Sequence, residues 1–417
     1  MLPTVAILSF EGPDRYSLVG GLGTRVTELA QAFADEGRTA ELYFVGDPAL
    51  PAVEDVSSRL RYRRWCQWIS AYHPGGVYDG ESGKVDDFAA SVPPFVAGEI
   101  VAPAAARGER ALVLFEEWQT ARAAIALDAV LRARGLRGAA TLLWNANNTY
   151  GLDGVDWPAL RSAATITTVS KYMKFELALR GQPALVVPNG IPPRLLDPPP
   201  VALVDGFRRA FDGRPALLKV GRFDPDKRWF QAVDAVAELR GAGYGARLLV
   251  RGGREPYGAD VFARARSRGL SVAEVTADGR DAASLFAQLG AVREDVVHLR
   301  AFLPEDLLRA AYVAADAVLA NSGKEPFGLV GLEVMASGGL AVCGSTGEEY
   351  AEPFVNAIVV DTEDGRELAE YLRAAVGDAA PARAMRAAGR ATAARYTWPT
   401  VVEGFERKIA FAEMLQH

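Results

Sequence analysis

Two glutamates, Glu325 and Glu333, stand at either end of EPFGLVGLE within the run NSGKEPFGLVGLE, with Pro326, Gly328 and Gly331 between them and no other acid. Were all the intervening steps helical, the carboxylates would lie about 12 Å apart along the axis. A carboxylate pair working on one glycosidic bond needs about 5 to 9.5 Å. The spacing therefore suits two parts of an extended ligand better than one bond. The run follows the apolar DAVLA and leads into LVGLEVMASGG, so a helix is expected over 327–337, stopped by Gly338 and Gly339. The start of that helix, near Gly328, offers free N–H groups to a phosphate or a sugar oxygen. The plainer reading is that acids near a helix start complement its dipole.

A second group of residues carries positive charge. In KVGRFDPDKRWF, Arg222 and Lys227 fall just beyond an expected strand end, where ligands of open α/β sheets collect. Two cations at such a place suit a diphosphate, although exposed charges are ordinary on a surface. Asp224 and Asp226 flank Pro225, which reads as a stiff turn rather than an acidic metal pair. Near the start, Gly20-Gly21-Leu22-Gly23 closes a loop and opens a helix, so its amides could approach an anion or could serve a tight turn alone. It is not a dinucleotide fingerprint, because the third glycine counted from Gly21 would fall at Val26. That disfavours a nicotinamide oxidoreductase.

These residues need rigid elements to hold them. A buried strand over 4–10, a helix carrying Leu22, Val26, Leu29, Ala30 and Phe33, and a strand over 40–45 make the β-loop-α-β order of a parallel, doubly wound sheet. Strands at 111–114, 141–144 and 164–169, with a helix over 120–134, extend it. Prolines crowd at 188, 192, 193 and 198–200, a density that marks a linker. The pattern restarts with strands at 216–220, 246–250, 296–299 and 317–320 and helices over 229–240 and 305–314. Val401, Phe405, Ile409, Phe411 and Met414 suggest a last amphipathic helix. The expected domains are 1–195 and 196–397, with 398–417 returning to the first.

Composition narrows the partners. The chain has 417 residues and a net charge of −6, without the basic domain that nucleic acid usually requires. Cys66 and Cys343 are the only cysteines, too few for a disulfide framework or a cysteine metal cluster, which suits a reducing cytoplasm. The opening MLPTVAILSFEG lacks the basic flank of a secretion signal, and no run of about 18 apolar residues suggests a membrane span. The segment 61–84 gathers Trp65, Trp68, Tyr72, His73 and Tyr78 with Arg61, Arg63 and Arg64. Its aromatic faces could receive a polar acceptor or pack under a loop, and its arginines could touch an anionic membrane. His298, in VVHL, reads as a core histidine.

Taken together, these motifs resemble those of retaining GT-B glycosyltransferases, the large family that includes bacterial glycogen and sucrose synthases. Glu325-Pro-Phe-Gly-Leu…Glu333 is similar to that family's Glu-x7-Glu motif, Arg222 and Lys227 to its Arg-x4-Lys pair, and Gly20-Gly21-Leu22-Gly23 to its N-terminal glycine loop. VSKYMK and VPNGI resemble its interdomain segment. The resemblance implies two Rossmann-like doubly wound domains facing a cleft. It also implies a nucleoside diphosphate sugar as donor, UDP- or GDP-linked, a small-molecule or glycan hydroxyl as acceptor, and chemistry that requires no metal, with Mg²⁺ at most stimulatory. By the same resemblance Arg222 and Lys227 hold the diphosphate and Glu325 contacts the sugar near the reacting carbon. Gly20, Gly21, Gly328 and Leu329 offer backbone to the donor, and Glu333 holds the ribose.

The chain departs from that family in its first half. In LFEEWQTA, Glu116 and Glu117 replace a histidine and an aspartate. In LLWNANNTYG, Trp144 replaces another histidine, and Leu18 stands where the polymer synthases have lysine. Polymer synthesis from ADP-glucose is accordingly not expected. Glu116, Trp144, Asn147, Asn148 and Tyr150 are the expected acceptor side. A nucleotide-sugar-binding protein that has lost catalysis remains the alternative.

Overall fold

The computed structural model describes residues 4–277, 279–377 and 379–415. The chain forms two compact units, Met1–Pro192 with Thr397–His417, and Pro193–Tyr396.

The first unit is built on eight strands: β1 Val5–Leu8, β2 Ala40–Val45, β3 Val53–Asp55, β4 Leu60–Trp65, β5 Ala111–Glu116, β6 Ala140–Ala146, β7 Thr165–Thr168 and β8 Leu185–Val186. Their order is β3-β4-β2-β1-β5-β6-β7-β8. Only the edge strand β3 runs antiparallel to its neighbour. The central strands are buried throughout, as helices on both faces of a parallel sheet require.

The second unit has β9 Ala216–Val220, β10 Arg247–Arg251, β11 Val272–Val275, β12 Val296–Leu299, β13 Ala317–Ala320, β14 Ala341–Cys343 and β15 Ile358–Val359. They lie in the order β11-β12-β10-β9-β13-β14-β15, each pair parallel. In both sheets the chain winds one way from a central strand and then the other. The switch points are β1/β5 and β9/β13, the crevices at which doubly wound sheets bind ligands beyond the strand C-termini.

The last helix, Trp398–Leu415, packs on the first unit. Its Phe405 ring lies 6.1 Å from that of Phe33, and its Trp398 Nε1 donates to Glu28 Oε2 at 2.9 Å. Burying a side chain such as Phe405 contributes about 1.5 to 3 kcal/mol, and Trp398, Val401 and Val402 are buried in the same core.

Strand β4 and the helices that follow it have no counterpart among the expected elements. LRYRRW carries three arginines, which mask the alternation of a half-buried strand. The fold neutralises each: Arg61 meets Asp55 at 2.6 Å, Arg63 meets Glu41 at 2.5 Å, and Arg64 meets Asp14 at 2.8 Å. These arginines are thus paired with the protein's own carboxylates. Trp65 is likewise internal, edge-on to Phe95 with ring centroids 5.2 Å apart, whereas Trp68 and Tyr72 are exposed.

The run Glu81–Ala106 corrects the expectation about apolar length. It holds 26 helical residues, with a mean hydropathy of 1.3 in its most apolar stretch, long and apolar enough to cross a membrane by length and composition alone. Half of that stretch is buried within the protein. Val85, Phe88, Val92 and Val96 supply the buried face, so the apolar residues serve the core. Pro93 and Pro94, which donate no backbone N–H, are followed by a π-helical turn at Ala97–Val101.

Candidate functional site

The loops after β9 and β13 bring the predicted cations and acids together. After β9, Gly221 takes a φ of 151°, open to glycine alone, and the chain passes Arg222 before a 3-10 turn at Pro225–Lys227. The Asp224 side chain accepts from Asp226 N at 2.9 Å, so Asp224 caps this turn. Arg228 then adopts the left-handed conformation, φ 51°, and the helix Trp229–Gly241 begins. The two loops are joined directly, since Gly323 N donates to Asp226 O at 2.7 Å. Lys227 Nζ reaches Glu325 Oε2 at 2.5 Å. The exposed Arg222 guanidinium has no protein partner among the described residues, while its carbonyl accepts from Trp229 Nε1 at 2.8 Å.

The helix expected from residue 327 starts two residues later, as Leu329–Ser337. Gly328 is the reason: it is the N-cap, at φ 79° and with no side chain to bond the first-turn amides. The first-turn amides are left without a side-chain cap where a ligand anion would want them. At the other end Gly338, φ 90°, stops the helix, with its amide bonded to Met335 O at 3.0 Å. Glu333 lies one turn inside, half-buried, near Tyr312, whose phenol burial first and then the Glu333 charge push well up. Lys227, Glu325, Gly328 and Leu329 therefore share one crevice, with Arg222 earlier in the same β9 loop and Glu333 further along the helix.

Below them Lys219 is buried on β9, its Nζ donating to Leu319 O at 3.0 Å and Asn321 Oδ1 at 2.6 Å. Burial, and then the Lys227 charge, push its ammonium well down. Asn321 Nδ2 in turn donates to Gln231 Oε1 at 2.7 Å, so a polar network underlies the crevice.

Sequence reasoning missed the support supplied by the loop between β14 and β15, GSTGEEY. Gly347 N donates to Glu325 O at 2.8 Å, and Glu325 N donates to Thr346 Oγ1 at 2.9 Å. The Tyr350 hydroxyl donates to Gly328 O. A Cβ at Gly347 would strike the carbonyls of Glu325 and Pro326. No local pattern in that loop points back to Glu325; only its place beside β13 does.

The first unit presents a different picture at its own switch point. The amides of Gly20 and Gly23 both donate to Glu11 Oε2 at 3.0 Å, and Tyr78 Oη donates to Glu11 Oε1 at 2.6 Å. The glycine loop thus already holds an anion, the chain's own carboxylate. Glu11 was not among the expected residues; its signal was an acid placed between the first strand and the glycines.

Across the switch point, Glu116 is buried and paired with Arg25 at 3.3 Å. Its Oε2 also accepts from Asn145 Nδ2 at 3.0 Å and Asn147 Nδ2 at 2.6 Å. Glu116 therefore organises its neighbours and has no free face for an acceptor. Trp144 is corrected more sharply. It is wholly buried, edge-on to Trp157 at 5.6 Å, with Nε1 donating to Glu117 O at 2.9 Å, so it presents no surface to a ligand. Asn147 and Asn148 are half-buried and Tyr150 is exposed.

Glu117 has a positive φ of 71°, which is uncommon outside glycine. One of its oxygens accepts from Asn147 N at 2.6 Å; the other is buried without a hydrogen-bond partner. Burial first, and then Glu116, push its carboxyl up to about 8. A cavity of about 280 Å³ opens nearby, beside Trp118, Glu81, Val85 and Ile125, and none of the expected acceptor residues lines it.

Residues 206–392 match the family model of glycosyl transferases group 1. That match lies within the second unit. The 2-deoxystreptamine glucosyltransferase of Streptomyces kanamyceticus is 29% identical over 247 residues, 56% of this chain and 56% of that enzyme. The chain thus spans little more than half the length of that relative. Sucrose-phosphate synthase of Thermosynechococcus elongatus matches with a TM-score of 0.69 at 20% identity, covering 99% of this chain and 100% of that one. Anabaena HepE, solved in complex with UDP, matches with a TM-score of 0.65 at 14% identity over 98% and 99% of the two chains. The fold is GT-B, as in the glycogen and sucrose synthase-like glycosyltransferases. Within the matched residues, the loops after β9 and β13 hold the residues that resemble the Arg-x4-Lys and Glu-x7-Glu motifs of GT-B glycosyltransferases.

Proposed function

We propose that the protein transfers a hexose, with retention of configuration, from a nucleoside diphosphate sugar to a hydroxyl acceptor. One observation carries the reading: Lys227 and Glu325 are paired at the open N-terminus of the 329–337 helix, with the Arg222 guanidinium in the same loop. In this reading Lys227 and Arg222 take the diphosphate, and their charge stabilises the leaving group as the glycosidic bond breaks. The Lys227 ammonium has three donors, so it can keep Glu325 while it meets a phosphate oxygen. Glu325 holds the sugar near the reacting carbon, the Leu329 amide faces the phosphate or sugar, and Glu333 takes the ribose hydroxyls.

The UDP carried by HepE and the glucosyl transfer named for the Streptomyces relative support a UDP-glucose donor, with a GDP-sugar as the other choice. The acceptor is a small molecule or glycan met by Asn147, Asn148 and Tyr150 of the first unit. Two protein cations meet the diphosphate, so transfer proceeds without a required metal in a cytoplasmic setting.

Incubation with UDP-glucose, GDP-mannose and a panel of hydroxyl acceptors tests the reading, with the anomeric proton of the product followed by NMR. An α-linked product from an α-linked donor, formed also in EDTA, is the expected result. Inversion, or activity abolished by chelator and restored by Mn²⁺, would overturn the retaining, metal-independent mechanism. Donor binding without transfer or hydrolysis would favour the binding-protein alternative, which draws on a Glu116 committed to Arg25.

A further inference from the structure

Glu348 has no part in the donor contacts just described, yet it lies against them. It is 5% exposed, its carboxyl oxygens have no side-chain partner, and the amides of Gly344 and of Glu348 itself lie close enough only to draw on them weakly. A buried carboxyl so poorly partnered is costly, and this one sits in the loop that cradles Glu325. Its side chain packs on the Gly328 turn: a Cβ at Gly328 would collide with Glu348 Cγ and lie 3.0 Å from its Cδ. The neighbouring residues Thr346, Gly347 and Tyr350 bond the same turn.

The titratable groups that face Glu348 are Glu325 and Lys227 across the crevice, Cys343 at the end of β14, and Tyr350 in its own loop. Burial first, and then the Glu325 charge, push the Glu348 carboxyl up to about 8, against a smaller pull from nearby amides and Lys227. Cys343 and Tyr350 are pushed well up by burial, so their charges do not change near neutrality. Glu348 is thus driven towards its uncharged form.

We propose that Glu348 is a positioning residue of the donor crevice: its buried side chain packs on the Gly328 turn and seats it, and a negative charge placed there would weaken donor binding. The role rests on the reading that this crevice binds a nucleoside diphosphate. The physical cause is direct. A second carboxylate beside Glu325 would compete with the diphosphate for Lys227 and repel it, in surroundings where charges are poorly screened.

The test is UDP binding by calorimetry to the full chain and to Glu348→Gln, each measured from pH 6.5 to 9. Wild-type affinity should fall about tenfold across that range with a midpoint near 8, whereas the affinity of Glu348→Gln should fall less than threefold. Equal falls in the two proteins, or a flat wild-type profile, would overturn the role while leaving the donor reading intact. Absence of UDP and GDP binding at every pH would overturn the donor reading and this role with it. Should Glu348→Gln not fold, the wild-type profile decides: a fall with its midpoint near 8 supports the role, and no such fall refutes it.

Discussion

Lys227 Nζ and Glu325 Oε2 lie 2.5 Å apart across 98 residues of sequence. β9 and β13 are neighbours in the sheet, with Leu217 opposite Ala317 and Leu218 opposite Val318. Their following loops must therefore meet, and the pair is a product of sheet order.

Replacing the cations should affect rate rather than folding. Lys227→Ala and Arg222→Ala are each expected to lower kcat/KM for the sugar donor by about a hundredfold or more, the usual consequence of removing a preorganised charge at a leaving group. Both variants should melt near the wild type, because Arg222 is exposed and the Lys227 pair is partly solvated. A variant that folds and turns over normally removes that residue from the mechanism.

Glu325 and Glu333 should fail differently. Glu333→Ala loses a grip on ribose, so it should raise the donor KM more than it lowers kcat; Glu325→Ala should lower kcat. Free UDP, which contains ribose and no sugar, should bind Glu333→Ala more weakly and Glu325→Ala about as before. Calorimetry that finds both variants equally impaired, or neither, returns these acids to the helix-dipole reading.

Gly347→Ala tests the support beneath Glu325. The added methyl meets two backbone oxygens, those of Glu325 and Pro326, which cannot turn away as a side chain would. The Glu325 turn must shift, and a misplacement of about 1 Å can cost on the order of a hundredfold in rate. The variant is expected to lose activity by at least tenfold while its circular dichroism stays native. Unchanged turnover would show that the loop between β14 and β15 does not set the position of Glu325.

The Glu117 carboxyl, held near 8 in the fold and in the ordinary carboxylate range when unfolded, makes stability depend on pH. Its folded pKa is the higher one, so its contribution is present below about pH 4.5 and is lost as pH rises towards 8. Glu117→Gln keeps an acceptor for the Asn147 amide and removes the titration. Urea unfolding of wild type and Glu117→Gln at pH 5 and pH 8 should show the variant gaining on the wild type, by on the order of 1 to 3 kcal/mol, at the higher pH. A constant gap between the two would show that Glu117 does not titrate in this range.

Local patterns carried much of this protein. Strands 40–45, 216–220, 296–299 and 317–320 were readable because fully buried parallel strands are short apolar runs, and no distant residue changes that. Gly338 was readable as a helix stop for a similar reason, since a left-handed position favours glycine whatever surrounds it. Even the donor motifs are short, because one loop and one helix start suffice to place two acids and an uncapped set of amides.

What the sequence could not determine lies where charges find partners across the sheet. Trp144 looked available and is core, because β6 is central and its neighbours bury both faces. Glu116 looked like an acceptor group and is held by Arg25, brought over from the helix after β1. The glycine loop looked open to a ligand anion, yet Glu11 fills it. Spacing along a chain records what one element can present; whether a charge is answered depends on strand order, which brings together loops separated by roughly a hundred residues. Only the folded sheets decided that Lys227 meets Glu325 and that Glu348 is buried beside them.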